Sequence, residues 1–196
     1  ILKSFMFDMI QSELEDAVGR EYVSQREIDK LTYGTDFFWL PHMWMDSGGK
    51  LPEADWIIQP GSTEEVSMVL KIANHYKIPV TVWGGGSGSK RMNRVIEYDT
   101  ESYTVTAETG IIQQNLEWDA NERGYSLMHF PASISGATLG GFLAHRGTGV
   151  LSTKYGRMDD LVVSMEVVLP NGDIINTLPV PKHAAGPDLS QIFLGS

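Results

Sequence analysis

The sequence has 196 residues, 42% of them hydrophobic and 20% charged, enough to bury one good core or two small ones. Fifteen basic against 25 acidic residues leave a formal charge of −10, which repels polyanions and argues against a nucleic-acid ligand. There is no cysteine, so disulfides, thiolate metal sites and iron–sulfur ligation are excluded. No run approaches the roughly 18 apolar residues of a membrane span and no signal-peptide pattern opens the chain, so a cytoplasmic protein is the default expectation.

In chain order, residues 4–18 place Phe5, Met6, Met9, Ile10, Leu14, Ala17 and Val18 at helical spacing, with Glu13, Glu15 and Asp16 opposite and Gly19 as a stop. Ser24 and Glu27 read as a capping box opening a short helix that ends near Leu31. The aromatic and methionine-rich stretch 33–52 has no clean period and reads as a long loop. A strand at 56–58, a turn at Pro60-Gly61, a helix from Ser62 or Thr63 to Lys77 and a returning strand at 78–83 form a β-α-β unit, predicting a small parallel pair. Strands follow at 95–99 and 103–108, then a helix over 111–123 closed by Gly124 and a short helix over 139–145. A strand at 161–169, the turn Pro170-Asn171-Gly172-Asp173 and a partner strand at 174–178 read as a hairpin. The chain begins at Ile1 and stops at Ser196 just after a short helical stretch, and reads as a fragment.

Two stretches carry chemistry. At 84–89 the strand runs into Gly84-Gly85-Gly86-Ser87-Gly88-Ser89, where residues without Cβ let several N–H groups converge on the oxygens of a diphosphate. It lacks both the Walker ending and the Rossmann spacing, and a glycine run is also an ordinary loop. At 131–149, Thr138 is placed to N-cap the helix from Leu139, aiming unpaired N–H groups at an anion while Gly140 and Gly141 permit close approach. A tightly packed helix with contact glycines is the competing account. His42, His75, His129, His145 and His183 have no metal-ligand spacing, and no metal site is expected. His129 and His145 are candidates for lining a pocket, while Arg146 is a candidate for offsetting negative charge. Glu13, Glu15, Asp16, Asp159 and Asp160 read as solvated faces, and no catalytic residue is assigned.

Taken with Pro60-Gly61-Ser62-Thr63-Glu64-Glu65-Val66, Lys154-Tyr155-Gly156, Asp160-Leu161-Val162-Val163, Gly186-Pro187-Asp188-Leu189 and Gly195-Ser196, the two stretches resemble the FAD-binding domain of FAD-linked oxidases. This is the superfamily of vanillyl-alcohol oxidase and p-cresol methylhydroxylase. Within it the similarity is to D-lactate and glycolate dehydrogenases and, from Pro131 onward, to alkyldihydroxyacetonephosphate synthase. The resemblance covers roughly residues 33–196 and implies an α+β fold of PCMH type, with a small parallel β-α-β part and a larger, mostly antiparallel sheet with helices. It implies a helical lead and loop over 1–50 and two FAD-binding subdomains over 51–107 and 108–196, the second truncated before a cap domain.

By the same resemblance, Val82, Trp83, Gly84, Gly85, Gly86, Ser87, Gly88 and Ser89 wrap the pyrophosphate. Pro131, Ala132, Ser133, Ala137, Thr138, Gly140, Gly141, His145, Arg146, Gly147 and Thr148 line the flavin and its ribityl chain, and Val163 lies near the adenine. With no histidine in 84–89 and no cysteine anywhere, noncovalent FAD is expected. Relatives carry further residues between the glycine loop and the segment matching Lys90, so a stretch is expected to be missing between Ser89 and Lys90. The implied activity is oxidation of a 2-hydroxy acid such as D-lactate or glycolate by hydride transfer to flavin N5, with a separate electron acceptor; a homodimer is compatible with it. The alternatives are a synthase-like transferase with no net redox change and a noncatalytic FAD-binding module.

Overall fold

The computed structural model describes residues 2–35, 39–51, 53–84, 91–181 and 183–195, with side chains from Phe5 onward. The chain divides into two units, residues 1–86 with 168–173, and residues 87–167 with 174–196.

In the first unit, α1 (Leu2–Val18) buries Ile10, Leu14 and Val18, spaced four apart on one face, against Val69 of α4 (Thr63–Tyr76). Each such side chain withdrawn from water contributes about 1.5–3 kcal/mol. Gly19, at φ 92°, ends α1 where a side chain would be strained. A 3-10 turn leads into β1 (Val23–Ser24), which pairs antiparallel with β2 (Ile57–Ile58) in the register Val23 to Ile58. That ladder draws Ser24 into an extended strand, so it does not cap a helix. Helix α2 (Glu27–Tyr33) starts later, with Arg26 at its N-cap, and the Ser24 hydroxyl accepts from Arg26 N at 3.2 Å.

The expected loop at 33–52 contains a helix, α3 (Trp39–Asp46). Its interior has no glycine, and Pro41 sits in the first turn, where a missing N–H breaks no intrahelical bond. Helix α4 starts as the sequence implies, with the Ser62 hydroxyl accepting from Glu65 N and the Glu65 carboxylate accepting from Gly61 N. The parallel pairing expected after α4 is corrected. Residues 78–84 form no ladder among the described residues, and β2 pairs with β1 instead. Val82 is 89% exposed, as a strand edge without a neighbour would be.

The second unit opens with β3 (Val95–Asp99) and β4 (Thr104–Ala107), antiparallel and bulged between Val95 and Glu97. Their turn is held by the Asp99 carboxylate, which accepts from Glu101 N and Ser102 N. Helix α5 (Gln113–Glu122) buries Leu116 and Ala120 and ends before Gly124, at φ 81°. Then come α6 (Leu139–Ala144), α7 (Ser152–Tyr155) and a 3-10 turn, Met158–Leu161. The strands β5 (Glu166–Val168) and β6 (Ile174–Asn176), which pair as a two-stranded sheet, and a last helix α8 (Ser190–Phe193) follow in the chain. The strand expected from 161 begins only at Glu166. Asp160 Oδ2 accepts from Arg157 N and winds 158–161 into a turn; Val162 after it is extended, and 162–164 join no ladder among the described residues.

Tyr98 joins β3 to α5 by donating to Asp119 Oδ2 at 2.7 Å. Burial, then the Asp119 carboxylate, push its phenol up to about 12. The folded value exceeds the unfolded one near 10, so this stability is complete below the unfolded value and is lost as pH rises through about 12. Tyr98→Phe is expected to flatten the fall in urea midpoint between pH 10 and 12, and an unchanged slope would show that the bond contributes nothing.

Candidate cofactor site

The segment 129–149 is built onto the first turn of α5. Gln113 N donates to Ala137 O, Gln114 N to Ile134 O, Leu139 N to Ile111 O and Val150 N to Phe130 O, while Ile112 and Thr138 form an isolated bridge. Pro131 is buried, while Ala132, Ser133 and Ser135 face solvent in a turn closed by Ile134 N to Pro131 O and Ala137 N to Ser133 O.

At the centre lies a polar knot that joins Gln113, which the sequence did not single out, to His129, which was expected to line a pocket. Gln113 and His129 are both 0% exposed. Gln113 Nε2 is 2.7 Å from His129 Nδ1 and donates to His129 O, while His129 Nε2 is 2.9 Å from Gly147 O. A carbonyl only accepts, so His129 carries its proton on Nε2 and accepts at Nδ1. Burial is the main cause that lowers its pKa, with the charge of His145 adding to it and the bond to Gly147 O opposing. The ring meets Phe142 edge-to-face at 5.3 Å, and Phe142 meets His145 at 5.8 Å. His129 is thus an internal brace. Gln113 gave no sequence signal, since a glutamine in the first turn of a helix is ordinarily solvated.

Thr138 caps α6 as the sequence implies, accepting from Gly141 N at 3.1 Å. The open amides expected beside it are corrected: Leu139 N donates to Ile111 O and Gly140 N to Thr109 O at 2.8 Å. This close approach is what Gly140 serves, because a Cβ there would lie 2.9 Å from Thr109 Cβ. Among the described residues the N–H groups of Ala132, Ser133, Ser135 and Thr148, and of Val162 and Val163, have no partner, as is true of others nearby such as those of Phe130 and Ser164. Donors presented on exposed or half-buried backbone suit the oxygens and ring nitrogens of a flavin nucleotide, so this donor set fits the cofactor that the resemblance implies.

Arg146 does not face outward as a free cation. Its Nη1 lies 3.4 Å from Asp159 Oδ2, and Nε and Nη2 donate to Leu194 O at 3.2 and 3.0 Å. Asp159, read from sequence as solvated, is buried beneath Arg146 and Arg157. His145 and Thr148 remain exposed, and Gly147 is buried. In the first unit, Val82 is exposed, Trp83 and Gly84 are half-buried, and the Trp83 ring meets Tyr33 at 5.9 Å. Gly85, Gly86, Ser87, Gly88 and Ser89, with the expected gap before Lys90, lie outside the described residues.

A shallow groove of about 600 Å³ runs along β3 between Asn93, Ile96, Tyr98, Asn115 and Arg123. None of the expected cofactor residues lines it, and its arginines are paired, Arg94 with Glu108 and Arg123 with Asp119. Among the described residues no three His, Asp or Glu side chains gather as a metal site, and no helix is long and apolar enough to cross a membrane.

Residues 88–178 match the family model of an FAD binding domain. An uncharacterized FAD-linked oxidoreductase of Escherichia coli is 35% identical over 162 residues, covering 74% of this chain and 34% of that protein. Alkyldihydroxyacetonephosphate synthase of Caenorhabditis elegans is 33% identical over 168 residues, 76% of this chain and 28% of that one. The mitochondrial cytochrome D-lactate dehydrogenase of Arabidopsis thaliana is 36% identical over 159 residues, 72% and 28% of the two chains. Among solved structures, an alkyldihydroxyacetonephosphate synthase superposes with a TM-score of 0.86 at 27% identity over 95% of this chain and 37% of that one. p-Cresol methylhydroxylase, at 22% identity and a TM-score of 0.73 over 96% and 40%, shares the fold. The chain spans about a third of the length of the curated relatives it matches. Its α+β fold, the match of residues 88–178 and these relatives show that the chain carries an FAD binding domain of PCMH type, similar to that of the FAD-linked oxidases.

Proposed function

We propose that this chain holds FAD noncovalently for a dehydrogenase that oxidises a 2-hydroxy acid such as D-lactate or glycolate, passing the electrons to a separate acceptor. The observation that carries the cofactor reading is the exposed turn at 131–137, braced on Gln113 and Gln114 and offering the unpaired N–H groups of Ala132, Ser133 and Ser135. In this reading residues 82–89 wrap the pyrophosphate, the turn and residues 145–148 face the flavin, and the open backbone at Val162 and Val163 meets the adenine. The subdomains then run over 51–107 and 108–196 behind a lead over 1–50. The absence of cysteine and of a histidine in 84–89 supports noncovalent attachment.

When bound, FAD supplies the two-electron acceptor that no amino-acid side chain provides. The chain's own residues bind and orient. The turn donates N–H groups, Gly140 and Phe142 hold the short helix behind it, and neutral His129 keeps its Nε2 proton on Gly147 O, fixing the segment beside it. The hydroxy-acid choice is supported by the Arabidopsis D-lactate dehydrogenase and by glycolate oxidase subunit GlcD of Bacillus subtilis among the relatives. A second reading, a synthase-like transferase, is favoured by the superposition on a solved alkyldihydroxyacetonephosphate synthase.

The test is anaerobic mixing of full-length, FAD-loaded protein with D-lactate, glycolate and acyl-dihydroxyacetone phosphate. Bleaching of the flavin absorbance by a hydroxy acid is expected. Release of fatty acid without bleaching would favour the synthase, and failure of every compound would count against both. Acid precipitation is expected to leave the flavin in the supernatant; flavin retained in the pellet would contradict noncovalent attachment.

A further inference from the structure

We infer that Asp159 is the positioning residue for the segment 145–148, an inference that rests on reading this segment as flavin-facing. Arg146 occupies the left-handed region at φ 53°, a conformation that persists in a non-glycine residue only where the surroundings over-determine it. Here they do. The Arg146 guanidinium reaches Asp159 Oδ2 at 3.4 Å, Leu194 O through Nε and Nη2, and Gln191 Oε1 at 3.1 Å. Of these partners only Asp159 carries charge, and its side chain is 4% exposed. Leu194 can come so close because Gly195, at φ 76°, follows it, and a Cβ on Gly195 would lie 2.4 Å from Arg146 Nε.

The neighbouring backbone is held from the same side. Gly147 O receives His129 Nε2 at 2.9 Å and Met158 N at 3.0 Å, and Met158 immediately precedes Asp159. The 3-10 turn that carries Asp159 therefore grips two consecutive residues, one by charge and one by a backbone bond. With Arg146 drawn inward, His145 and Thr148 are left on the exposed face.

The chemistry of the pair points to positioning rather than to stability. Arg146 and Arg157 both bind Oδ2, while Asp159 Oδ1 is buried with no partner among the described residues. A buried carboxylate with an orphaned oxygen, paired to arginines that stay partly exposed, is a poor stabiliser compared with apolar packing. What it does provide is a fixed direction for Arg146.

The test uses full-length protein, with FAD as the probe. Asp159→Asn is expected to raise the FAD dissociation constant about tenfold, alter the visible circular dichroism of bound flavin and speed hydrogen exchange at 145–148, with exchange in α4 unchanged. Asp159→Glu is expected to recover most of the affinity. An unchanged dissociation constant and dichroism in Asp159→Asn would overturn the inference, even if the protein melted earlier. If that variant does not fold, Arg146→Gln is expected to weaken FAD about tenfold and Arg157→Gln less than twofold; equal effects would overturn it. Wild-type protein with no affinity for FAD would refute the flavin reading itself and this inference with it, an outcome visible before any variant is made.

Discussion

Phe142→Ala is expected to lower the unfolding free energy of the protein by about 3–5 kcal/mol, the range for emptying a buried phenylalanine site, and to abolish FAD retention on gel filtration. Phe142 is 1% exposed, and its ring is wedged between His129 and His145, at 5.3 and 5.8 Å. Gly147 packs on its edge so tightly that a Cβ there would come within 2.6 Å of Phe142 Cδ1. The cavity left by alanine therefore adjoins three residues of the 129–147 brace. Refilling it requires the His129 ring to move, which breaks the bond to Gly147 O. Urea denaturation followed by tryptophan fluorescence measures the first effect. A loss below about 1 kcal/mol, well under the range for such sites, would mean that the neighbours collapse into the space and that the brace is soft.

His129→Leu tests the brace directly and is expected to cost about 1–3 kcal/mol, the penalty for burying polar groups without partners. Gln113 Nε2 keeps its bond to the backbone carbonyl of residue 129 but loses the ring nitrogen, and Gly147 O keeps only Met158 N. The pH dependence supplies a second readout. Burial lowers the folded pKa of His129, so below the unfolded value of about 6.5 the unfolded chain binds a proton that the folded one refuses. Stability is complete above that value and is lost as pH falls from it toward the lower folded pKa. Wild-type protein should lose urea midpoint between pH 7 and 5, and His129→Leu should lose less over the same interval. Equal slopes would mean that His129 accepts the proton in the folded state and that the neutral form drawn here is wrong.

The contrast between α4 and α3 shows what local sequence can convey. Ser62 before a run with Val69 and Ala73 on one face specifies a start and a buried side within a few residues, and α4 follows it. Trp39, Leu40, Met43 and Trp44 do share one helical face, but the run is only eight residues long and the helix there buries none of its residues, so no core contact marks it. The segment 78–83 has the composition of a strand, but a strand is completed by a neighbour, and none among the described residues pairs with it.

The two stretches that suggested a cofactor were legible because their signal is chemical and short-range: glycines in sequence, a threonine cap, small residues in a turn. Their ordered combination with the flanking motifs pointed to the FAD-linked oxidases, and the comparisons agree. The partners of the polar groups were not legible. Gln113 meets His129 across 16 residues and Arg146 reaches Leu194 across 48. Asp159 looks like any surface acid until Arg146, 13 positions earlier, folds over it. Helix periods and caps are properties of neighbours in the chain, so composition and spacing suffice for them. Which amide stays open, which carboxylate is buried and which arginine is already occupied depend on contacts that exist only after distant segments meet.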